Sequence, residues 1–395
     1  MRLRRLPPVH SPLRLKALLS GARAVTGTDE GRQAVLGWIN TTFQPRSSLL
    51  TDSGTTALTL AFRAAQRIRR GPVALPAYCC YDLATATDGA GVDVLLYDID
   101  PITLGPDWDS FERTLGRGAT AVVVAHLYGH PIDLRQAQAL ADRSGAILIE
   151  DAAQGVGARY DNRPLGSFGG LAILSFGRGK GLTGGGGGAL LVHSDDLMPA
   201  VREAGAIIET KGNAGLMHLG KTAVQWAFAR PSLYALPASL PFLGLGETIY
   251  RRPGKAALMS RSSAAILSQT IPGIHLEANR RRVNAARLAA AVAVGQSARL
   301  YKRAPLGASG DLRMPVHAPA ERLSEWRSTE ASWLGIAPGY PRALADLEGF
   351  GNRLGNRDEP FSGARELSDR LCTLPTHGRL REGDLRALER WLQLR

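Results

Sequence analysis

The ten residues Leu174-Ser175-Phe176-Gly177-Arg178-Gly179-Lys180-Gly181-Leu182-Thr183 run directly into five consecutive glycines, Gly184 to Gly188. A strand-like run, Leu171 to Phe176, precedes the lysine, and backbone without Cβ follows it, so Lys180 does not read as a charge on a solvated helix face. Glycine lets the chain turn sharply and approach a neighbour or ligand closely. An amine held unprotonated in such a pocket is a nucleophile able to form a Schiff base. A flexible surface loop is the competing reading of the same residues. The rest of the chain decides between them.

Short apolar runs recur along the chain and alternate with helical patterns. The strand candidates are Ser48 to Thr51, Val73 to Leu75, Val92 to Tyr97, Ala119 to Ala125, Ala146 to Glu150, Leu171 to Phe176 and Ala189 to Val192. Helical patterns over Thr55 to Arg67, Asp82 to Asp88 and Leu134 to Arg143 lie between several of them. This alternation predicts an α/β domain over 26–250 with a seven-stranded, mainly parallel sheet covered on both faces. Residues 1–25 read as a basic lead-in. Residues 256–395 read as a smaller α+β domain, with helices over Leu258 to Leu267, through Arg287 to Val294 and over Gly383 to Leu394, and a strand over Leu312 to Val316. The stretch 223–245 is apolar but broken by Pro231, Pro237 and Pro241, which argues against a membrane-spanning helix. It reads as a flap or subunit contact, with contact at a membrane surface as the alternative.

The formal net charge of +13 would suit nucleic acid, an anionic surface or a phosphorylated substrate, but the basic residues are scattered, and no nucleic-acid partner is expected. Cys79 and Cys80 are adjacent and Cys372 is remote, a spacing that makes neither a disulfide framework nor a metal site. The opening Met-Arg-Leu-Arg-Arg lacks a following apolar core, so a cytoplasmic protein is expected.

Open α/β sheets bind ligands beyond the carboxyl ends of their strands. Ser53, Gly54, Thr55 and Thr56 follow the first strand and open a helix, a natural phosphate site. Asp151 and Gln154 follow Ala-Ile-Leu-Ile-Glu, while Ser175 and Lys180 lie at and beyond the end of the sixth strand. An aldehyde cofactor such as pyridoxal 5'-phosphate needs a lysine, a carboxylate that keeps its pyridine nitrogen protonated, and donors for its phosphate. All three converge on one rim here. Each carboxylate or hydroxyl taken singly also reads as a helix cap.

The segments TDSGTTALTLAF (51–62), VALPAYCCYDLATA (73–86), GVDVLLYDID (91–100), AHLYGHPID (125–133), ILIEDAAQGVGARYDNRPLGSFG (147–169), SFGRGKGLTGGGGGALL (175–191) and LPTHGRLREGDL (374–385) resemble those of the DegT/StrS-type sugar aminotransferases, pyridoxal-phosphate enzymes of fold type I. The resemblance covers most of the chain. It implies Lys180 as the Schiff-base lysine and acid/base catalyst, Asp151 on the pyridine nitrogen, Gln154 beside the ring, and Thr55, Thr56 and Ser175 on the phosphate. It also implies a homodimer acting on a keto-sugar, nucleotide-linked, with an amino acid such as glutamate as donor, in surface-polysaccharide or amino-sugar biosynthesis. The lysine argues against the related dehydratases, in which a histidine takes its place.

Three features depart from the family pattern. Cys80, with Tyr81 next to it and Tyr78 two residues before, stands where an aromatic ring usually covers the cofactor. The residues RRPGKAAL before Met259-Ser260-Arg261 lack the asparagine that reaches across the dimer in the family, so the cross-subunit phosphate contact is either lost or taken over by Arg251, Arg252 or Lys255. The run 223–245 has no counterpart. A lyase or a different amine acceptor on the same cofactor, and a non-catalytic cofactor-binding regulator, are the rival readings.

Overall fold

The computed structural model describes residues 4–209, 215–235 and 248–393. Its strands, numbered along the chain, are β1 (Ser47–Thr51), β2 (Val73–Pro76), β3 (Val94–Tyr97), β4 (Ala121–Ala125), β5 (Ile147–Asp151), β6 (Arg159–Tyr160), β7 (Arg163–Pro164), β8 (Leu171–Ser175), β9 (Gly188–Val192), β10 (Arg299–Leu300), β11 (Gly307–Ala308), β12 (Met314–His317), β13 (Ala337–Pro338) and β14 (Leu371–Leu374). The seven predicted runs pair into one sheet in the order β1-β9-β8-β5-β4-β2-β3. Neighbours are parallel from β3 through β8, and β9 alone runs antiparallel, between β8 and β1. Strands β2, β3 and β9 are apolar and buried along their whole length, with no solvated side to alternate toward.

Several boundaries shift for local reasons. Val92 and Ala119 fall outside the ladders, which open with single bonds from Val73 N–H to Asp93 O (2.9 Å) and from Thr120 N–H to Pro72 O (2.9 Å). β5 runs one residue further than its apolar pattern, so Asp151 is the last residue of the strand, paired in register with Ala125 and Ile173. The helix expected from Leu258 begins instead at Arg261, because the Ser260 hydroxyl accepts the Ser263 N–H at 3.1 Å and caps it. A helix over Trp108–Gly116, capped by Asp107, was not expected; it has only nine residues, too few for the pattern to stand out.

The helix Gly54–Ile68 lies in the middle of the molecule, with ten of its fifteen residues buried. It packs against the helices Asp82–Ala90 and Met198–Gly205 and against β8 and β9. Its alanines, Ala57, Ala61, Ala64 and Ala65, are fully buried and make that close approach possible. A second core gathers Leu288, Val292, Val316, Trp326, Leu374 and Trp391 around the sheet β10-β12-β14-β13. The two indoles meet edge to face at 4.9 Å.

The lead-in is tied to both cores. Leu6 is buried in the second, Leu6 N–H donates to Trp333 O at 3.0 Å, and the Ser11 hydroxyl accepts the Gly179 N–H at 3.0 Å beside Lys180. Within the apolar run 223–245, residues 236–245 lie outside the described residues. The helix Gly215–Phe228 carries its first part and exposes Leu216, Met217 and Val224. Among the described residues, no helix is long and apolar enough to cross a membrane.

Candidate active site

The register of the sheet brings the predicted residues to one rim. Ser175, at the end of β8, pairs with Gly188, which also pairs with Thr51 at the end of β1. Two residues beyond Thr51, Ser53 caps the central helix: its hydroxyl accepts the Thr56 N–H at 3.1 Å. The Thr56 hydroxyl donates to Asp52 Oδ1 at 2.6 Å and lies 3.0 Å from the Ser53 hydroxyl. Thr56 therefore spends both its amide and its hydroxyl inside the turn. The donors left over are the Thr55 amide and the hydroxyls of Thr55 and Ser175, for which no hydrogen-bond partner is found among the described residues. A Cβ on Gly54 would lie 2.9 Å from Ser175 Cβ and 3.1 Å from its Oγ, so only glycine lets Ser175 close the floor of this cradle. The cradle suits a phosphate: amides at a helix N-terminus, small hydroxyls, and the positive end of a fifteen-residue helix.

Asp151 is buried, and its Oδ1 accepts the Ala153 N–H at 3.0 Å. Burial raises its carboxyl above the usual range. That amide and the charge of Lys180 pull the other way. The charge of Lys180 lowers the pKa of both the Asp151 carboxyl and the Cys80 thiol, against the larger effect of burial. Lys180 sits between Gly179 and Gly181, both in the left-handed region (φ +78° and +76°), which bends the chain back toward the rim on either side of the lysine.

The preceding residue of β5, Glu150, points to the other face. It is fully buried and satisfied by the amides of Gly166 (2.7 Å) and Phe168 (2.8 Å) and by His126 Nε2 (3.1 Å). His126 Nδ1 accepts the Ile132 N–H, so the ring's proton is on the nitrogen facing Glu150. This pair braces the strand end from behind.

Cys80, Tyr81 and Tyr78 take different places. Cys80 is half-buried, near Lys180, with its thiol 3.3 Å from Asp82 Oδ2; burial pushes that thiol up to about 12. The Tyr81 hydroxyl donates to Arg342 O at 3.3 Å, and the Tyr78 hydroxyl accepts the Tyr340 N–H at 2.8 Å. Gln154 is fixed at both ends: its Oε1 accepts Tyr128 N–H at 2.9 Å and its Nε2 donates to Tyr340 Oη at 2.8 Å. Arg251 and Arg252 are exposed, and Lys255 is exposed and paired with Glu209 at 3.3 Å. The segment after them nonetheless reaches the cradle, since Asp52 N–H donates to Ala257 O at 2.8 Å.

Sequence reasoning missed three side chains here. Tyr128 holds φ +57°, a costly conformation for a bulky residue, and its ring stacks on Tyr340 at 5.9 Å and 21°. Arg313 stands over the Tyr128 ring, 5.8 Å from its centre. The Tyr-Gly step at 128–129 was the only local sign of the first; Tyr340 and Arg313 come from remote loops and gave none.

The glycine tract does not serve close approach to a ligand. Added Cβ atoms on Gly184, Gly185 and Gly187 would meet the Ser263 backbone, the Thr222 side chain and Met259, so the tract seats the helices Gly215–Phe228 and Arg261–Thr270.

Residues 42–390 match the family model of the DegT/DnrJ/EryC1/StrS aminotransferases. The L-glutamine:2-deoxy-scyllo-inosose aminotransferase of Micromonospora echinospora is 33% identical over 263 residues, 64% of this chain and 62% of that protein. The UDP-N-acetyl-3-dehydro-alpha-D-glucosamine 3-aminotransferase of Acidithiobacillus ferrooxidans is 33% identical over 143 residues, 36% of this chain and 39% of that one. Matches to these relatives thus span less than two thirds of their length. The crystal structure of the sugar aminotransferase CalS13 from Micromonospora echinospora superposes with a TM-score of 0.77 over 98% of this chain and 99% of that one, at 20% identity, and shows the same fold, that of the fold type I enzymes. The chain belongs to the DegT/DnrJ/EryC1/StrS aminotransferase family.

Proposed function

We propose that the chain is a pyridoxal 5'-phosphate-dependent aminotransferase that moves an amino group from an α-amino acid to a keto-sugar, nucleotide-linked, in amino-sugar or surface-polysaccharide biosynthesis. What supports this reading is buried Asp151 at the end of β5, next to β8, whose end carries Ser175 of the Gly54–Ser175 cradle and leads to Lys180. When bound, the cofactor supplies an electron sink for the carbanion left at a deprotonated carbon. Thr55, Ser175 and the amides at the helix start hold its phosphate, with Thr56 shaping the turn. Asp151 would face the ring nitrogen and keep it protonated, Gln154 would lie at the ring's edge, and Cys80, Tyr81 or Tyr78 would cover the ring. The Lys180 amine would hold the cofactor's aldehyde and, as a free base, would be the group that moves the proton at the donor's Cα. Family resemblance makes glutamate the donor and a homodimer the working form; glutamine, named for the Micromonospora relative, is the rival donor.

Incubating the cofactor-loaded protein with glutamate or glutamine is expected to yield one equivalent of pyridoxamine phosphate and of the keto acid per site without a sugar present. Adding a keto-sugar then restores the original form, the two-step pattern of a ping-pong enzyme. Failure to convert with any amino acid overturns the reading in favour of a cofactor-binding regulator.

A further inference from the structure

The helices Leu15–Ala24 and Gly215–Phe228 lie side by side over the helix Arg261–Thr270. Their inner faces are ordinary core. Ala17 and Leu18 of the first, with Leu219, Ala223 and Trp226 of the second, gather around Ile266. A Cβ on Gly21 would stand 2.6 Å from Ile266 Cγ1, and Gly215 O accepts the Ser262 hydroxyl at 2.9 Å, so both helices are closely seated.

Their outer faces are different. Leu15 and Leu19, one turn apart, and Leu216, Met217 and Val224 are each more than half exposed, and Phe228 follows one turn beyond Val224. Sixteen large apolar side chains are exposed among the described residues, and these two short helices carry six of them. Single exposed apolar residues are normal on a protein surface, but a gathered set marks a surface that is covered in use.

The charges around this face are all of one sign. Arg14, Lys16, Arg23, Lys221 and Arg230 are exposed, and residues 4–28 and 215–235 contain no aspartate or glutamate. Arg230 lies over the Trp226 ring at 4.6 Å. None of the five cations makes an ion pair among the described residues. Exposed arginines elsewhere do, as Arg135 does with Asp161 at 2.7 Å and Arg365 with Asp346 at 2.9 Å. An apolar face ringed by unneutralised cations fits acyl chains beneath negative headgroups. A second copy of the chain fits poorly, because a two-fold contact sets a face against itself and would bring the five cations together.

We propose that these two outer faces form a docking surface for an anionic lipid bilayer, with the aliphatic side chains entering the headgroup layer and the cations holding its phosphates. The chain then lies on the membrane, since no described helix is long and apolar enough to cross it. The surface adjoins the Lys180 loop: Thr222 packs on Gly185, and the Ser11 hydroxyl accepts the Gly179 N–H at 3.0 Å.

Flotation of the full-length protein tests this without cofactor or substrate. Vesicles of phosphatidylcholine with about one-third phosphatidylglycerol are compared with phosphatidylcholine alone. The protein is expected to float with the first and only weakly with the second. Lys16→Gln combined with Lys221→Gln should lower the partition coefficient about 10- to 30-fold. Leu216→Ser, Met217→Ser and Val224→Ser together, which change no charge, should lower it at least about tenfold. Val283→Ser, at an equally exposed apolar position on another helix, should leave it within about twofold. Absence of wild-type binding to the anionic vesicles overturns the proposal. So does full binding by the triple apolar variant, which would show electrostatic adsorption alone. A triple variant that falls from dimer to monomer in sedimentation would show that another copy covers the face, and that result overturns it as well.

Discussion

At the scale of single residues, the two adjacent carboxylates that end β5 are held very differently. Asp151 keeps only the Ala153 amide among hydrogen-bond donors in the described residues, while Glu150 beside it has three. That contrast separates the working carboxylate from the structural one. Asp151→Asn keeps the shape and the contact to the Ala153 amide but cannot hold a ring nitrogen protonated. It is expected to retain the cofactor and lose about 10²–10³-fold in kcat; stopped-flow measurement of the donor half-reaction checks this, and turnover within a few-fold of wild type would contradict it. The places of Asp151 and Ser175 at strand ends were legible because each closes an apolar run, where the chain must leave the sheet, and Lys180 follows in the loop after Ser175. Arg313 was not, since in sequence it is one charge at the entrance of the run Leu312 to Val316, and only folding sets it over Tyr128.

At the scale of elements, the glycine tract shows where a correct local reading led to a wrong use. Its backbone freedom is needed: Gly185 has φ +80°. The space it leaves, however, belongs to Thr222 of the helix Gly215–Phe228 rather than to a ligand. The sequence marked a close approach without naming what approaches, because the packed helix lies some forty residues on and joins through a segment of weak pattern. Gly185→Ala combines a left-handed φ, which costs a side-chain-bearing residue about 1–3 kcal/mol, with overlap on the Thr222 hydroxyl. A fall in the urea midpoint equivalent to at least about 2 kcal/mol is expected, and Thr222→Ala should recover only the overlap portion. A double variant restored fully to wild-type stability would show that the backbone conformation carries no cost.

At the scale of the whole molecule, the two cores and the lead-in are joined by buried neutral histidines. His10 Nε2 accepts the Arg379 Nε–H at 2.9 Å, which only an uncharged ring can do, and His377 Nε2 donates to Pro7 O at 2.9 Å. Burial, then the neighbouring His377 and Arg379, lower the His10 pKa from 6.5 to about 2. The unfolded chain takes up this proton below about pH 6.5 and the folded chain does not, so the contribution is complete above that pH and declines as the pH falls. Through His10 alone, stability is expected to drop by about 1.4 kcal/mol per pH unit between roughly pH 6 and 4. Urea midpoints of wild type and His10→Gln across that window check the slope; the variant's should be shallower by one proton, and equal slopes would contradict the assignment. The order of elements and the parallel sheet were legible in the chain's alternation of apolar runs and helical patterns. The threading of the lead-in from Leu6 to Ser11 between the cores was not, because Pro7, Pro8 and the basic residues around them carry no periodicity to read.

The account turns on a covalent bond between Lys180 and a pyridoxal aldehyde, and borohydride reduction of the loaded protein followed by peptide mass mapping tests it most directly. One phosphopyridoxyl mass addition per chain, on the peptide containing Lys180 and absent from Lys180→Ala, is the result predicted. A reduced protein without that addition, or with it on a lysine away from the rim, would contradict the account.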